Sequence, residues 1–265
     1  MKMRVRMSII MKKQLSDGKS VRLLRCLSYA GSFLLDLLYP PRCPVCETIL
    51  LPSEGQICIR CRKELPYVGE PFCMCCGKPI LNPSMEYCPD CLRRRHHFEE
   101  GRAVFLYEKG IRLSVNRLKF QNRRSYVPFY GECLYHLFLQ MQPIWRADCL
   151  VPIPMHPKKR ALRGYDQAVL LARSLSGYSR LPACENLLVR KRFTESSKKL
   201  GRAERRKNLR GVFGIREGAA IPGSVILIDD IYTTGATMDE AALALRKAGV
   251  KRVFFLALCI GQGAG

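Results

Sequence analysis

From about residue 100 onward, short unbroken apolar runs alternate with longer stretches whose apolar residues recur every three or four positions. The runs Ala103-Val-Phe-Leu-Tyr107, Cys149 to Ile153, Val225 to Ile228 and Arg252 to Leu258 have strand length. A run without a polar face predicts a strand buried on both sides. The periodic stretches Ile111 to Phe120, Tyr130 to Met141, Tyr165 to Leu175 and Thr237 to Ala248, the last closed by Gly249, predict helices. This alternation predicts an α/β fold, a parallel sheet with helices on both faces. Such sheets hold ligands at the carboxyl ends of their strands, where loops meet helix N-termini.

The text before this region differs. Cys43 to about Arg95 is turn-rich and has no long apolar run, and the composition shifts at Arg93-Arg94-Arg95-His96-His97. Further upstream, Leu23, Leu24, Leu27, Phe33, Leu34, Leu37 and Leu38 fall at roughly helical spacing behind a basic tail. The expected organisation is tail and amphipathic helix (1–35), cysteine-rich module (36–98) and α/β domain (99–265). Cys26 to Leu38 follows basic residues as a signal peptide does. Asp36 breaks its apolar end and the cysteine module follows directly, so a helix packed on its neighbour is expected instead. No apolar run reaches the roughly 18–20 residues needed to cross a bilayer.

Composition changes the picture twice. A formal charge of +23 over 265 residues points to a polyanionic partner or ligand. Nine of the 14 cysteines lie between Cys43 and Cys91, mostly as C-x-x-C pairs, and this favours metal over disulfides. Cys43-x-x-Cys46 with Cys58-x-x-Cys61, then Cys73-x-x-Cys76 with Cys88-x-x-Cys91, supply eight thiolates, enough for two structural zinc sites. Sequential pairing makes two zinc ribbons; an interleaved cross-brace would use the same eight ligands. Closed four-thiolate sites leave no position for substrate, so their expected role is structure or nucleic-acid contact. Cys75 is left as a neighbour of the ligands. Bound zinc and the isolated Cys133, Cys149, Cys184 and Cys259 fit a reducing cytoplasm.

The run Val225 to Ile228 ends in Asp229-Asp230 and then Ile231-Tyr-Thr-Thr-Gly-Ala-Thr237. Two carboxylates at the end of a buried strand are costly unless a partner satisfies them, and the vicinal hydroxyls of a ribose fit. The following Thr233, Thr234, Gly235, Ala236 and Thr237 open a helix and form an anion cradle, with Gly235 permitting close approach. No G-x-x-x-x-G-K-[ST] or G-x-G-x-x-G competes for this role. The order of acid pair and phosphate loop suits a pentose 5-phosphate.

This segment resembles the signature of type I phosphoribosyltransferases, and its surroundings resemble the ComF family, associated with natural competence and DNA uptake. The landmarks are the double cysteine module, Tyr107 with Gly110, Leu118-Lys119-Phe120, Val151-Pro-Ile-Pro154, Arg163-Gly-Tyr-Asp-Gln167 and Arg205-x-x-Asn208-x-x-Gly-x-Phe213. The resemblance spans about residues 36–260. It implies a type I phosphoribosyltransferase-like sheet behind a double zinc ribbon, with phosphoribosyl pyrophosphate and magnesium as ligands. On this resemblance Pro154 ends the loop that takes the pyrophosphate, with Lys158, Arg160 and Arg163 as its cations beside Lys159, and Arg205 belongs to a basic lid between Arg190 and Arg210. Asp166 is either a helix cap or a ligand. The chain reads Thr194-Glu-Ser-Ser197 where the family has a Gln after Thr-x-Ser, which puts a lid contact at Ser197 in doubt. Thr233 replaces the Asp of purine-salvage relatives, which disfavours a purine acceptor. Two functions remain open: phosphoribosyl transfer to an unidentified acceptor, and a binding module that senses phosphoribosyl pyrophosphate or grips single-stranded DNA alongside DNA-uptake proteins. The oligomeric state is open.

Overall fold

The computed structural model describes residues 39–192 and 208–261. The predicted tail and amphipathic helix, and the lid residues Thr194, Ser197 and Arg205, lie outside them. Four strands form one parallel sheet in the order β1 (Glu100–Leu106), β6 (Arg252–Ile260), β5 (Ser224–Tyr232), β2 (Cys149–Pro152). Side chains alternate between its faces, as the pleat requires. Ile226, Ile228, Phe254, Leu256 and Leu150 point into one core, and Val225, Leu227, Val253, Phe255 and Val151 into the other.

On the first face lie α3 (Lys109–Phe120), α4 (Val127–Trp145) and α6 (Gln167–Ser179). Trp145 ends α4 fully buried, stacked on Phe254 at 4.9 Å, with its indole N–H donating to Glu100 at 2.7 Å. On the second face lie α7 (Ala236–Lys247) and an antiparallel pair, β3 (Leu188–Arg190) with β4 (Phe213–Ile215). Sequence periodicity predicts the four strands of the sheet and four of these helices within a few residues. It misses β3 and β4, whose three residues each are too short for a period to register. It also misses α5 (Pro157–Arg163), which reads as a basic loop because its residues carry no apolar stripe.

The cysteine module has two short helices, α1 (Ile59–Lys63) and α2 (Pro89–Leu92), one in each half. The first half adds Leu50 and Ile57 to one core and the second adds Ile80 to the other, so the halves straddle the β1 edge. The chain between them is stapled to that edge. Val68 donates to Val104 at 3.0 Å, Leu106 donates to Pro66 at 2.7 Å, and Tyr67 bridges Phe105 in antiparallel sense. Gly101 of β1 also donates to Cys75 at 2.8 Å. The β2 edge is covered by Pro182 to Cys184, which exchange hydrogen bonds with Leu150. Both edges are thereby paired and neither is left as a template for another chain. Among the described residues no helix is long and apolar enough to cross a membrane.

The third C-x-x-C turn, Cys73 to Cys76, is pressed onto β1. Gly77 sits at φ +71°, and a Cβ there would lie 2.9 Å from the Gly101 carbonyl oxygen. Gly55 has a similar φ of +72° with nothing closer than 3.9 Å. Gly77→Ala is therefore expected to lower unfolding free energy by about 1–3 kcal/mol more than Gly55→Ala, since both share the backbone strain and only one adds a collision. Denaturant midpoints of the two variants check this.

Candidate functional site

β5 does not stop at the acid pair as the apolar run predicts. It continues to Tyr232, paired with β6 through Asp229–Ala257 and Tyr232–Ile260. β2 leaves earlier, its last pairing being Pro152 with Ile228. Asp229 and Asp230 thus sit where one neighbouring strand has departed, at the carboxyl end of the sheet. Asp230 is buried, and its Oδ2 lies 2.8 Å from Lys119 Nζ on the last turn of α3. Burial alone would lower the Lys119 pKa, but the Asp230 carboxylate outweighs it and holds the ammonium above its ordinary value. Asp229 accepts a hydrogen bond from the Asp230 amide at 2.8 Å. Burial, then the adjacent Asp230 charge, push its carboxyl well above the usual range.

The loop after β2 is held by a residue whose role the sequence leaves open. Asp166 caps α6, accepting from Ala168 at 3.0 Å, while its other oxygen accepts from the Met155 amide at 2.7 Å. It is a cap that also fixes the Ile153–His156 turn bearing Pro154. His156 caps α5 in the same manner, Nδ1 accepting from Lys158 at 3.2 Å. Lys158, Lys159, Arg160 and Arg163 all lie on α5, so the predicted cations of the pyrophosphate loop come as one helix. Arg190 lies on β3, over the other face of the sheet. Burial lowers its pKa, opposed by the charges of Asp229 and Asp166.

α3 and α5 enclose a cleft of about 660 Å³ lined by Lys119, Phe120, Asn122, Lys159, Leu162 and Arg163 among others. The Arg163 guanidinium lies over the Phe120 ring at 5.2 Å and donates to Gln167.

Thr233, Thr234 and Gly235 link β5 to α7. Gly235 is the N-cap at φ +75°, and no side chain caps the helix. A Cβ at Gly235 would lie 2.5 Å from Tyr232 Oη, so this position excludes any larger residue. Thr233 is exposed, Thr234 and Thr237 are half-buried, and Ala236 is buried. Asp229, Asp230 and the 233–237 loop are therefore contiguous, with Lys119 paired to Asp230 and Arg190 near enough to feel the charge of Asp229. Lys119 stands in the sequence only as part of the Leu118-Lys119-Phe120 landmark, and Arg190 only as the first residue of a basic stretch. Neither carries a local signal for its distant partner.

The thiolate sets settle the pairing. Cys43, Cys46, Cys58 and Cys61 bring their sulfurs within 4.8 Å of one another, as do Cys73, Cys76, Cys88 and Cys91. None of these cysteines is in a disulfide. Four converging thiolates in each of two sequential sets fit two tetrahedral zinc sites, and the interleaved alternative is excluded. Cys75 neighbours the second set, within 4.8 Å of Cys91 and of His96, a residue the sequence does not single out.

A parallel α/β sheet flanked by helices and joined to two sequential cysteine ribbons defines the class of this protein. Residues 34–92 match the family model described as a double zinc ribbon domain. The chain is similar to "Competence protein ComFC" of Streptococcus pneumoniae, 30% identical over 77% of this chain and 88% of that protein. It is similar to "Competence protein F" of Haemophilus influenzae, 27% identical over 80% of this chain and 93% of that protein. It is also similar to "DNA utilization protein YhgH" of Salmonella typhimurium, 26% identical over 84% and 98%. The chain belongs to the ComF family.

Asp229 generates a pH prediction. Its folded pKa is raised, so ionising it costs stability, and that cost grows as pH rises from the ordinary carboxylate value through the folded one. Asp229→Asn is expected to melt higher than wild type at neutral pH, with the gap closing as the pH falls below that window. Thermal unfolding across a pH series measures it.

Proposed function

We propose that this protein binds phosphoribosyl pyrophosphate at the carboxyl end of its sheet and acts in DNA uptake. The observation that carries the reading is the adjacency of Asp229 and Asp230 to an uncapped helix start at Gly235. In this reading the acid pair accepts from the two ribose hydroxyls. The 233–237 loop takes the 5-phosphate, on backbone amides favoured by the α7 dipole. The pyrophosphate lies toward the Pro154 turn and α5. Lys119 keeps Asp230 aimed, and its ion pair offsets part of the burial cost until ligand arrives. Magnesium, bound with the ligand beside Asp229 and Asp230, would supply charge neutralisation to the leaving group. In transfer, the bond from C1 to the pyrophosphate oxygen breaks and a bond to the acceptor's nucleophile forms, the acceptor losing its proton. The DNA-uptake role rests on relatives named for competence and DNA utilization. We place the protein in the cytoplasm, where its thiolates stay reduced.

Calorimetric titration of phosphoribosyl pyrophosphate with magnesium is expected to show binding to wild type. Asp229→Asn/Asp230→Asn is expected to lose at least about tenfold in affinity, on the order of 1.4 kcal/mol. Absence of binding to wild type sinks the proposal. Binding with no pyrophosphate release, whatever acceptor is offered, assigns the site to sensing and not to transfer.

The cleft favours a second role, a grip on single-stranded DNA. Phe120 and Leu162 are 69% and 91% exposed beside Lys159 and Arg163, giving a base platform among cations. Anisotropy with a labelled oligothymidine is expected to weaken several-fold on Phe120→Ala and to fall steeply with salt, independently of the acid pair. An unchanged affinity in Phe120→Ala removes the cleft from this role.

A further inference from the structure

We infer that His96 is a positioning residue that couples the second four-cysteine centre to the phosphate-loop helix, so that zinc at the one and a phosphate ester at the other stabilise each other. The inference rests on the reading of the 233–237 loop as a phosphate cradle.

The link is continuous in space. His96 Nε2 lies 3.5 Å from Cys91 Sγ, the last thiolate of the second set, and its Nδ1 lies 3.3 Å from Asp239 Oδ1. Asp239 is buried in the first turn of α7 and donates its amide to the Gly235 carbonyl at 2.8 Å. The same carboxylate accepts from the His97 amide at 2.7 Å and pairs with Arg94. Arg94, His96 and His97 all follow Cys91 closely, so one short segment is fixed by the metal ligand at one end and clamps the loop helix at the other. The clamp also serves the anion. A bare carboxylate in the first turn would oppose a phosphate there, and Arg94 offsets its charge.

A second contact runs parallel to the first. Lys78, buried in the second ribbon and paired with Asp90 at 3.0 Å, places its ammonium 5.7 Å from the Tyr232 ring centre. Tyr232 stacks on Phe255 at 4.6 Å, and its hydroxyl fills the space beside Gly235. The first centre faces elsewhere: Glu47 pairs with Arg117 of α3, and Val45 accepts from the same arginine. Its zinc is therefore an internal reference.

Groups that hydrogen-bond a metal's ligands fix their orientation, and their loss costs roughly 10–100-fold in metal affinity. Coupling between two binding events is reciprocal. His96→Asn keeps an amide toward Asp239 and drops the nitrogen facing Cys91, whereas His96→Gln retains reach toward Cys91. Both leave all eight thiolates in place.

The test uses the full zinc-loaded chain and follows zinc release to a chromogenic chelator, with magnesium present and phosphoribosyl pyrophosphate added or omitted. Hydrogen exchange at the amides of 233–238 is followed in the ligand-free protein. Wild type is expected to release two zinc ions in two phases, only one of them slowed by the ligand. His96→Asn is expected to speed that phase about tenfold or more, abolish the ligand effect, and raise exchange at 233–238 but not at 43–61. His96→Gln is expected to recover part of the slow release. Binding of the ligand to wild type with neither phase slowed overturns the coupling, as does unchanged exchange in His96→Asn. A His96→Asn protein holding a single zinc makes His96 a ligand and overturns the positioning role. If wild type binds no ligand at all, the proposed function falls, and the exchange measurement still decides the structural coupling.

Discussion

A four-stranded parallel sheet whose strands are apolar on both faces is stable only when both faces and both edges are covered. The helices here cover most of each face but not the β1 edge. The cysteine ribbons finish the job, one on each face, with Pro66 to Val68 laid along the edge itself. Each ribbon is too short to build a hydrophobic core of its own, and metal replaces that core. What zinc stabilises is therefore the flank of the sheet as well as the ribbons.

The site shows a second accommodation. Two adjacent carboxylates, one buried and one half-buried, are an unfavourable arrangement, and the fold reduces the cost without removing it. Lys119 comes from α3 to pair Asp230, and its charge also offsets Asp229. Asp166 spends both oxygens on backbone amides, locking the turn after β2 to the start of α6. The cost that remains at Asp229 falls on its ionised form, which burial and the neighbouring Asp230 charge disfavour.

Much of this was legible in the residues because it is local. The Val225–Ile228 run, the acid pair, the loop through Thr237 and the four C-x-x-C turns are contiguous text, and each element's type follows from its own pattern. The missed features join distant segments. Lys119 reaches Asp230 across more than a hundred residues, and His96 reaches Asp239 across 143, and no periodicity reports such meetings. The strand's continuation past the acids was hidden for another reason. Asp229 and Asp230 break an apolar run, yet backbone pairing with β6 carries the strand on to Tyr232 regardless of side chain. The sequential thiolate pairing was likewise undetermined until the sulfurs were placed, because both pairings use the same turns.

The staple over β1 also bears on how the chain is made. β1 has one partner within the sheet, β6, and their register matches Glu100 with Phe254. During synthesis the ribbons and β1 emerge ahead of the other strands, but the surface on which they dock is incomplete until β6 follows some 150 residues later. The early segment can load its zinc promptly, yet it waits for the last strand to fix its place. A nascent chain of this design is thus a metal-bound head held in reserve, and closing the sheet is the step that turns it into part of the site.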